Sequence, residues 1–148
     1  MGTEASTNKT LRFSQVIDAP VERAWEVVAA VSGVDKWIPF ITSCRVEGQG
    51  AGARRYCETA DGNALTERVL AIVPETRTFW YAIEAGLPVS RYEGLMQFVP
   101  DGELRCRMVW TVTFAGAEAA SAGVASMLEQ AAPAVFIGLA AHLGHARA

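Results

Sequence analysis

Residues 117–148 read AEAASAGVASMLEQAAPAVFIGLAAHLGHARA, and the reading of this stretch decides the fold. It holds no aspartate and no lysine. Its apolar side chains recur at Val124, Leu128, Ala131, Val135, Leu139 and His142–Leu143, the spacing of one helix face. Pro133 predicts a kink near Ala132 or a helix in two pieces. Gly123, Gly138 and Gly144 offer places for a neighbour to approach closely. What comes before this stretch reads mainly as short strands. A long apolar helix that follows strands needs a surface to bury against, and a curved antiparallel sheet wrapped around it supplies one. Such a sheet does not easily fill its own interior, so the interior is where function is sought.

Working back from that helix, residues 104–115 alternate most cleanly. Arg105, Arg107, Thr111 and Thr113 point out, while Cys106, Met108, Trp110, Val112 and Phe114 point in. Residues 89–99 form another strand, with Tyr92, Gly94, Met96 and Phe98 inward. Residues 78–85 place Phe79, Tyr81 and Ile83 on one face. In residues 64–73 Glu67 shares a face with Leu65, Val69 and Ala71. The other face holds Thr66 and Arg68 but also Leu70 and Ile72, so the parity of this strand stays open. Residues 53–59 put Arg55, Cys57 and Thr59 on one side, and residues 41–48 put Thr42, Cys44 and Val46 inward. Asp61-Gly62-Asn63 and Asp101-Gly102 are turns. The loop Gly48-Gln49-Gly50-Ala51-Gly52 precedes no helix, so its glycines are not a phosphate cradle.

Toward the start, residues 11–17 read as a strand. Asp18-Ala19-Pro20 then opens a helix striped by Val21, Trp25, Val28 and Val31 and ended by Ser32-Gly33. Residues 34–37 add one turn before Pro39. Residues 1–10 are polar and are expected to be a flexible tail, leaving residues 11–148 as one domain. The expected fold class is α+β, with about seven strands in the order β-α-α-β6-α.

The 148-residue chain is 51% apolar, enough for a real core, and its net charge is −3. Without a Lys/Arg cluster, no nucleic-acid partner is expected. No signal-peptide core and no run of apolar residues long enough to span a bilayer is read, which predicts a cytoplasmic protein without membrane insertion. Three cysteines, Cys44, Cys57 and Cys106, lack a C-x-x-C spacing and read as buried free thiols. His142 and His145 sit at the chain end without a carboxylate on their face, so no metal is expected. With only those two histidines a hydrolytic triad is not in view.

The informative residues are the polar ones aimed inward, because a buried charge is costly unless paired. They are Glu67 and Arg55, joined by Tyr81, Tyr92 and Trp110, each with a polar tip on an apolar body. One reading is an internal salt bridge with aromatic packing. The other, preferred because polar groups converge from several strands, is a ligand cavity.

In this setting Ala19-Pro20 with Trp25, Trp37-Ile38-Pro39, Gly52 with Arg55, Glu67-Arg68-Val69, Tyr92-Glu93-Gly94, and Trp110 with Phe114 follow one another in a familiar order. By these motifs nearly the whole chain resembles the START/polyketide-cyclase (SRPBCC, Bet v 1-like helix-grip) superfamily. That group includes bacterial polyketide cyclase/dehydrase-like proteins, pollen-allergen-like carriers and plant abscisic-acid receptors. The resemblance implies a cavity between sheet and last helix, lined by Thr42, Cys44, Glu67, Tyr81, Ile83, Tyr92 and Gly94, with Arg55 as an inward arginine. Strand parity adds Met96 and Trp110 to that lining. The chain departs from the hormone receptors at their gate loop, reduced here to residues 59–63, and at their latch, replaced by Leu87-Pro88-Val89. The implied partner is a hydrophobic small molecule (polyketide, aromatic or lipid-like), bound by a monomer or homodimer that needs no cofactor. As a polyketide cyclase/aromatase-type enzyme it would use Glu67 as acid or base, Arg55 to polarise a carbonyl or to pair with Glu67, and Tyr81 or Tyr92 as proton donor. The alternative is a non-catalytic carrier or sensor in which these groups only orient the ligand.

Overall fold

A computed structural model describes residues 6–145. The chain runs β1 (Ser6–Ile17), α1 (Val21–Ala29), α2 (Val34–Trp37), β2 (Ile41–Glu47), β3 (Arg54–Thr59), β4 (Ala64–Val73), β5 (Thr78–Ala85), β6 (Arg91–Pro100), β7 (Cys106–Ala117) and α3 (Glu118–His145). The strands form one antiparallel sheet in the order β1-β7-β6-β5-β4-β3-β2. Hairpin links account for β2 to β7. β1 and β2 lie at opposite edges, so α1 and α2 must carry the chain from one edge to the other. The result is the helix-grip α+β architecture that the sequence leads one to expect.

Residues 6–10, expected to be tail, are the first part of β1 and pair with β7 from Ser6↔Ala117 onward. Their polar composition hides the strand, but β7 is long enough to need a partner along its whole length. Thr7 Oγ1 donates to the Gly116 carbonyl at 3.2 Å, and Thr10 faces Thr113. The remaining tail, residues 1–5, lies outside the described residues. β6 and β7 each start two residues later than the alternation suggests.

α3 runs through Pro133 as one element rather than two. Proline removes the partner of the Glu129 carbonyl, yet both residues face solvent, where water can serve that oxygen. The buried face holds Val124, Leu128, Val135, Leu139 and Leu143 and is widened by Ala132 and Phe136. Of the three glycines, only Gly138 is closely approached. A Cβ there would overlap the Trp37 carbonyl, while Gly123 and Gly144 face open space. An 18-residue window within residues 118–144 has a mean hydropathy of 1.5, so this helix does meet the length and apolarity needed to cross a bilayer, contrary to the sequence reading. Alanine and glycine spread that hydropathy around the helix, and most of its larger apolar side chains are buried, while Met127 and Ile137 are exposed. At the far end, Arg23 of α1 donates to the Leu143 carbonyl at 3.0 Å, tying α1 to the end of α3.

Candidate ligand cavity

Between the concave sheet face and α3 lies a cavity of about 360 Å³. The strand alternation aims Tyr81, Tyr92, Met96 and Trp110 into it, as expected. Its wall also includes Val34 of α2, Ile38 and Ile41, and the face of α3 formed by Leu128, Ala131 and Val135. Sequence reasoning missed these residues. The small side chain of Ala131 amid larger apolar neighbours was the available signal. At the mouth stand Phe40, residues 60 and 61, Asn63, Leu87 and the half-exposed Met127. Asn63 Nδ2 donates to the Gly86 carbonyl at 2.9 Å, so the β3–β4 turn and the β5–β6 loop are joined there.

The polar end is built across β3 and β4. Arg55 and Glu67 are direct cross-strand partners, which settles the open parity of β4 with Glu67 inside. They are 6% and 8% exposed, and Arg55 Nη2 lies 2.7 Å from Glu67 Oε1. The N–H groups do not point at that oxygen: Glu67 Oε1 has no aligned hydrogen-bond donor, and Arg55 Nε has no acceptor. The contact is therefore coulombic, with hydrogen-bonding capacity left over on both partners. Arg55 is otherwise held firmly. Its Nη1 donates to the Val31 carbonyl at 3.1 Å, and its guanidinium lies 5.3 Å from the Phe79 ring centre and 5.8 Å from that of Tyr81. Val31 has φ of 67°, unfavourable for a β-branched residue, and so presents its carbonyl to Arg55 from a strained turn after α1.

Beside this pair, Trp110 Nε1 donates to the Tyr81 hydroxyl at 3.1 Å. The Tyr81 and Tyr92 rings are 6.4 Å apart. Burial, followed by the Glu67 charge, raises the Tyr81 hydroxyl above the usual tyrosine range. Burial, followed by the neighbouring Tyr81, does the same for Tyr92. Both are thus O–H groups at neutral pH, able to donate but not to act as bases. Gly94 is opposite Tyr81 on β6, where a Cβ would overlap the tyrosine ring. The glycine is the slot in which Tyr81 lies. The chain's lysines, Lys9 and Lys36, are not on the wall, so it offers no amine nucleophile.

Arg55, Glu67, Tyr81, Ile83, Tyr92, Met96 and Trp110 therefore share one cavity. Thr42 and Cys44 do not. The β2–β3 register shifts between Ile41 and Ser43, which turns Ile41 inward and Thr42 out to solvent, its hydroxyl on the Glu58 carbonyl. Cys44 keeps the inward parity but lies at the sheet's edge, beyond the cavity and against Cys57.

The same fold occurs in XoxI from Bacillus cereus (TM-score 0.82, 19% identity, covering 94% of this chain and 98% of that one). It occurs in a Thermobifida fusca protein (TM-score 0.78, 24% identity, 92% and 93% covered). Norcoclaurine synthase from Thalictrum flavum, solved with dopamine and hydroxybenzaldehyde, is a further likeness (TM-score 0.75, 15% identity, 91% and 86% covered). No curated protein matches the chain in sequence. One family matches almost from end to end, over residues 9–144, and the chain belongs to it: the polyketide cyclase/dehydrase and lipid transport family.

Proposed function

We propose that the cavity takes a hydrophobic polyketide or aromatic molecule with its oxygen-bearing end at Arg55 and Glu67, and that the protein acts on it by acid/base chemistry. The observation that carries this reading is the incompletely hydrogen-bonded ion pair on the wall of a largely apolar cavity. A structural salt bridge gains from complete hydrogen bonding, whereas this one leaves Arg55 Nε and Glu67 Oε1 without aligned partners, and both residues line the cavity. In this reading Arg55 polarises a carbonyl, Glu67 moves a proton, and Tyr81 or Tyr92 donates to a developing oxyanion. The apolar wall would hold a flexible substrate folded and exclude water.

A carrier role is the second reading, favoured by the two tyrosines that stay protonated, since fixed donors suffice to orient a ligand. Glu67→Gln separates the two, because it keeps shape and most hydrogen bonding while removing the titratable group. With a poly-β-ketone substrate mimic, an acid/base role predicts retained binding and turnover lower by about 10²–10⁴-fold. A carrier predicts weaker binding and no turnover in either protein. Unchanged binding with unchanged turnover removes Glu67 from the mechanism.

A further inference from the structure

β2 is one of the two edge strands of the sheet, and among the described residues it pairs with β3 alone. In that pair Cys44 stands directly opposite Cys57, and their sulfurs are 3.0 Å apart. Both are free thiols. Opposed residues on antiparallel strands have Cα atoms about 4.5–5.5 Å apart, within the span of about 4.4–6.8 Å that a disulfide bridges. Closing a bond here needs side-chain rotation and no rearrangement of the strands. Cys44 is partly exposed at the sheet edge, whereas Cys57 is buried.

The two thiols are also unequal chemically. The bond from the Cys57 S–H holds the Cys44 thiol below its usual range, with Arg55 helping against the effect of burial. That same bond and burial push Cys57 up. Cys106, away from this pair, is pushed up to about 11 by burial. Reactivity follows the thiolate and its exposure, which single out Cys44.

We propose that Cys44 and Cys57 are an oxidation site for hydroperoxides, with Cys44 oxidised first and Cys57 resolving it into a reversible disulfide. The Cys44 sulfur attacks one peroxide oxygen and the O–O bond breaks. The departing oxygen takes the thiol proton and leaves as water or alcohol, and Cys44 becomes a sulfenic acid. The Cys57 sulfur then displaces that hydroxyl: an S–S bond forms, the S–O bond breaks, and the Cys57 proton leaves with the hydroxyl as water. Two electrons pass from the sulfurs to the peroxide. The bridge fixes the outer strand to β3, two residues along the same face from Arg55 and two from Thr59 at the cavity. This proposal stands on the thiol pair alone and does not depend on the ligand or on catalysis.

The test treats the full chain with hydrogen peroxide, alkylates the remaining thiols after denaturation, and maps peptides by mass. The expected product links Cys44 to Cys57, leaves Cys106 alkylated, and reverts with dithiothreitol. Cys44 carried to sulfinic acid while Cys57 stays a free thiol, or equal oxidation of all three cysteines, overturns the proposal. In Cys57→Ser, dimedone should capture a sulfenic acid at Cys44. In Cys44→Ser, whose altered side chain is at the tolerant edge, Cys57 should stay a thiol. Dimedone labelling of Cys57 in the second variant contradicts the order of oxidation. Amide exchange across β2 should slow in the oxidised protein, and unchanged exchange contradicts the pinning of the edge.

Discussion

Arg55 and Glu67 show why a buried pair is a poor guide to catalysis by itself. Removing one partner strands the other charge in a nearly dry site, at a cost of about 3–5 kcal/mol. Arg55→Ala is therefore expected to lose that much stability in urea melts, whatever the pair does chemically. A loss below about 1 kcal/mol would mean that the pair is hydrated or rearranged. Tyr81 and Tyr92 carry a different signature. An unfolded tyrosine ionises near about pH 10. Their folded hydroxyls hold the proton to higher pH, so above that value the unfolded state has lost protons that the folded state keeps. Their contribution is complete below about pH 10 and falls as pH rises through and beyond it. Tyr92→Phe should flatten this alkaline loss, as read from urea midpoints at about pH 9 and about pH 11. An unchanged slope would count against a buried, protonated Tyr92. Alternation in the sequence aimed Tyr81 and Tyr92 inward without tertiary knowledge but left the parity of Glu67 open, and its pairing with Arg55 resolves it. The sequence could not show the strained Val31 carbonyl that holds Arg55, since nothing in a valine announces positive φ.

α3 is the element on which the cavity depends, and its glycines distinguish contact from mere flexibility. Gly123 is exposed with open space at its Cβ position, so Gly123→Ala should stabilise the helix by about 0.5–1 kcal/mol. Gly138 meets the Trp37 carbonyl and the Pro39 ring, so Gly138→Ala should instead destabilise by about 1–3 kcal/mol. Thermal melts of the two variants should move in opposite directions. A shift of both in the same direction would mean that α2 is not seated on α3 at this point. The helix itself was plain in the sequence from its apolar spacing. Which of its glycines bears a contact was not, because that depends on where the segment from Val34 to Ile41 crosses it. The same dependence hid Thr42. One irregularity in the β2 register turns it to solvent, and a strictly alternating reading has no means of placing such a bulge.

The whole molecule is a sheet whose two edges are bridged by α1 and α2 and whose hollow is only partly filled by α3. The strand order and the inward set were legible because most strands alternate and are separated by glycine-rich or proline-containing turns. The cavity mouth was less so: residues 60, 61, 63 and 87 come together only once the loops fold, with Asn63 on the Gly86 carbonyl. Four tryptophans report on different places. Trp25 packs on Phe98, Trp37 lies beneath α3, and Trp80 is 41% exposed on the convex face with its indole N–H on Glu93. Only Trp110 is on the cavity wall. Titration of an apolar naphthol, followed by tryptophan fluorescence in the native protein, Trp110→Phe and Trp80→Phe, therefore tests whether the hollow binds ligand. The expected result is saturable quenching in the native protein and in Trp80→Phe, with most of the signal gone in Trp110→Phe. Quenching that survives in Trp110→Phe and disappears in Trp80→Phe would place the ligand on the outer face of the sheet and contradict an internal site.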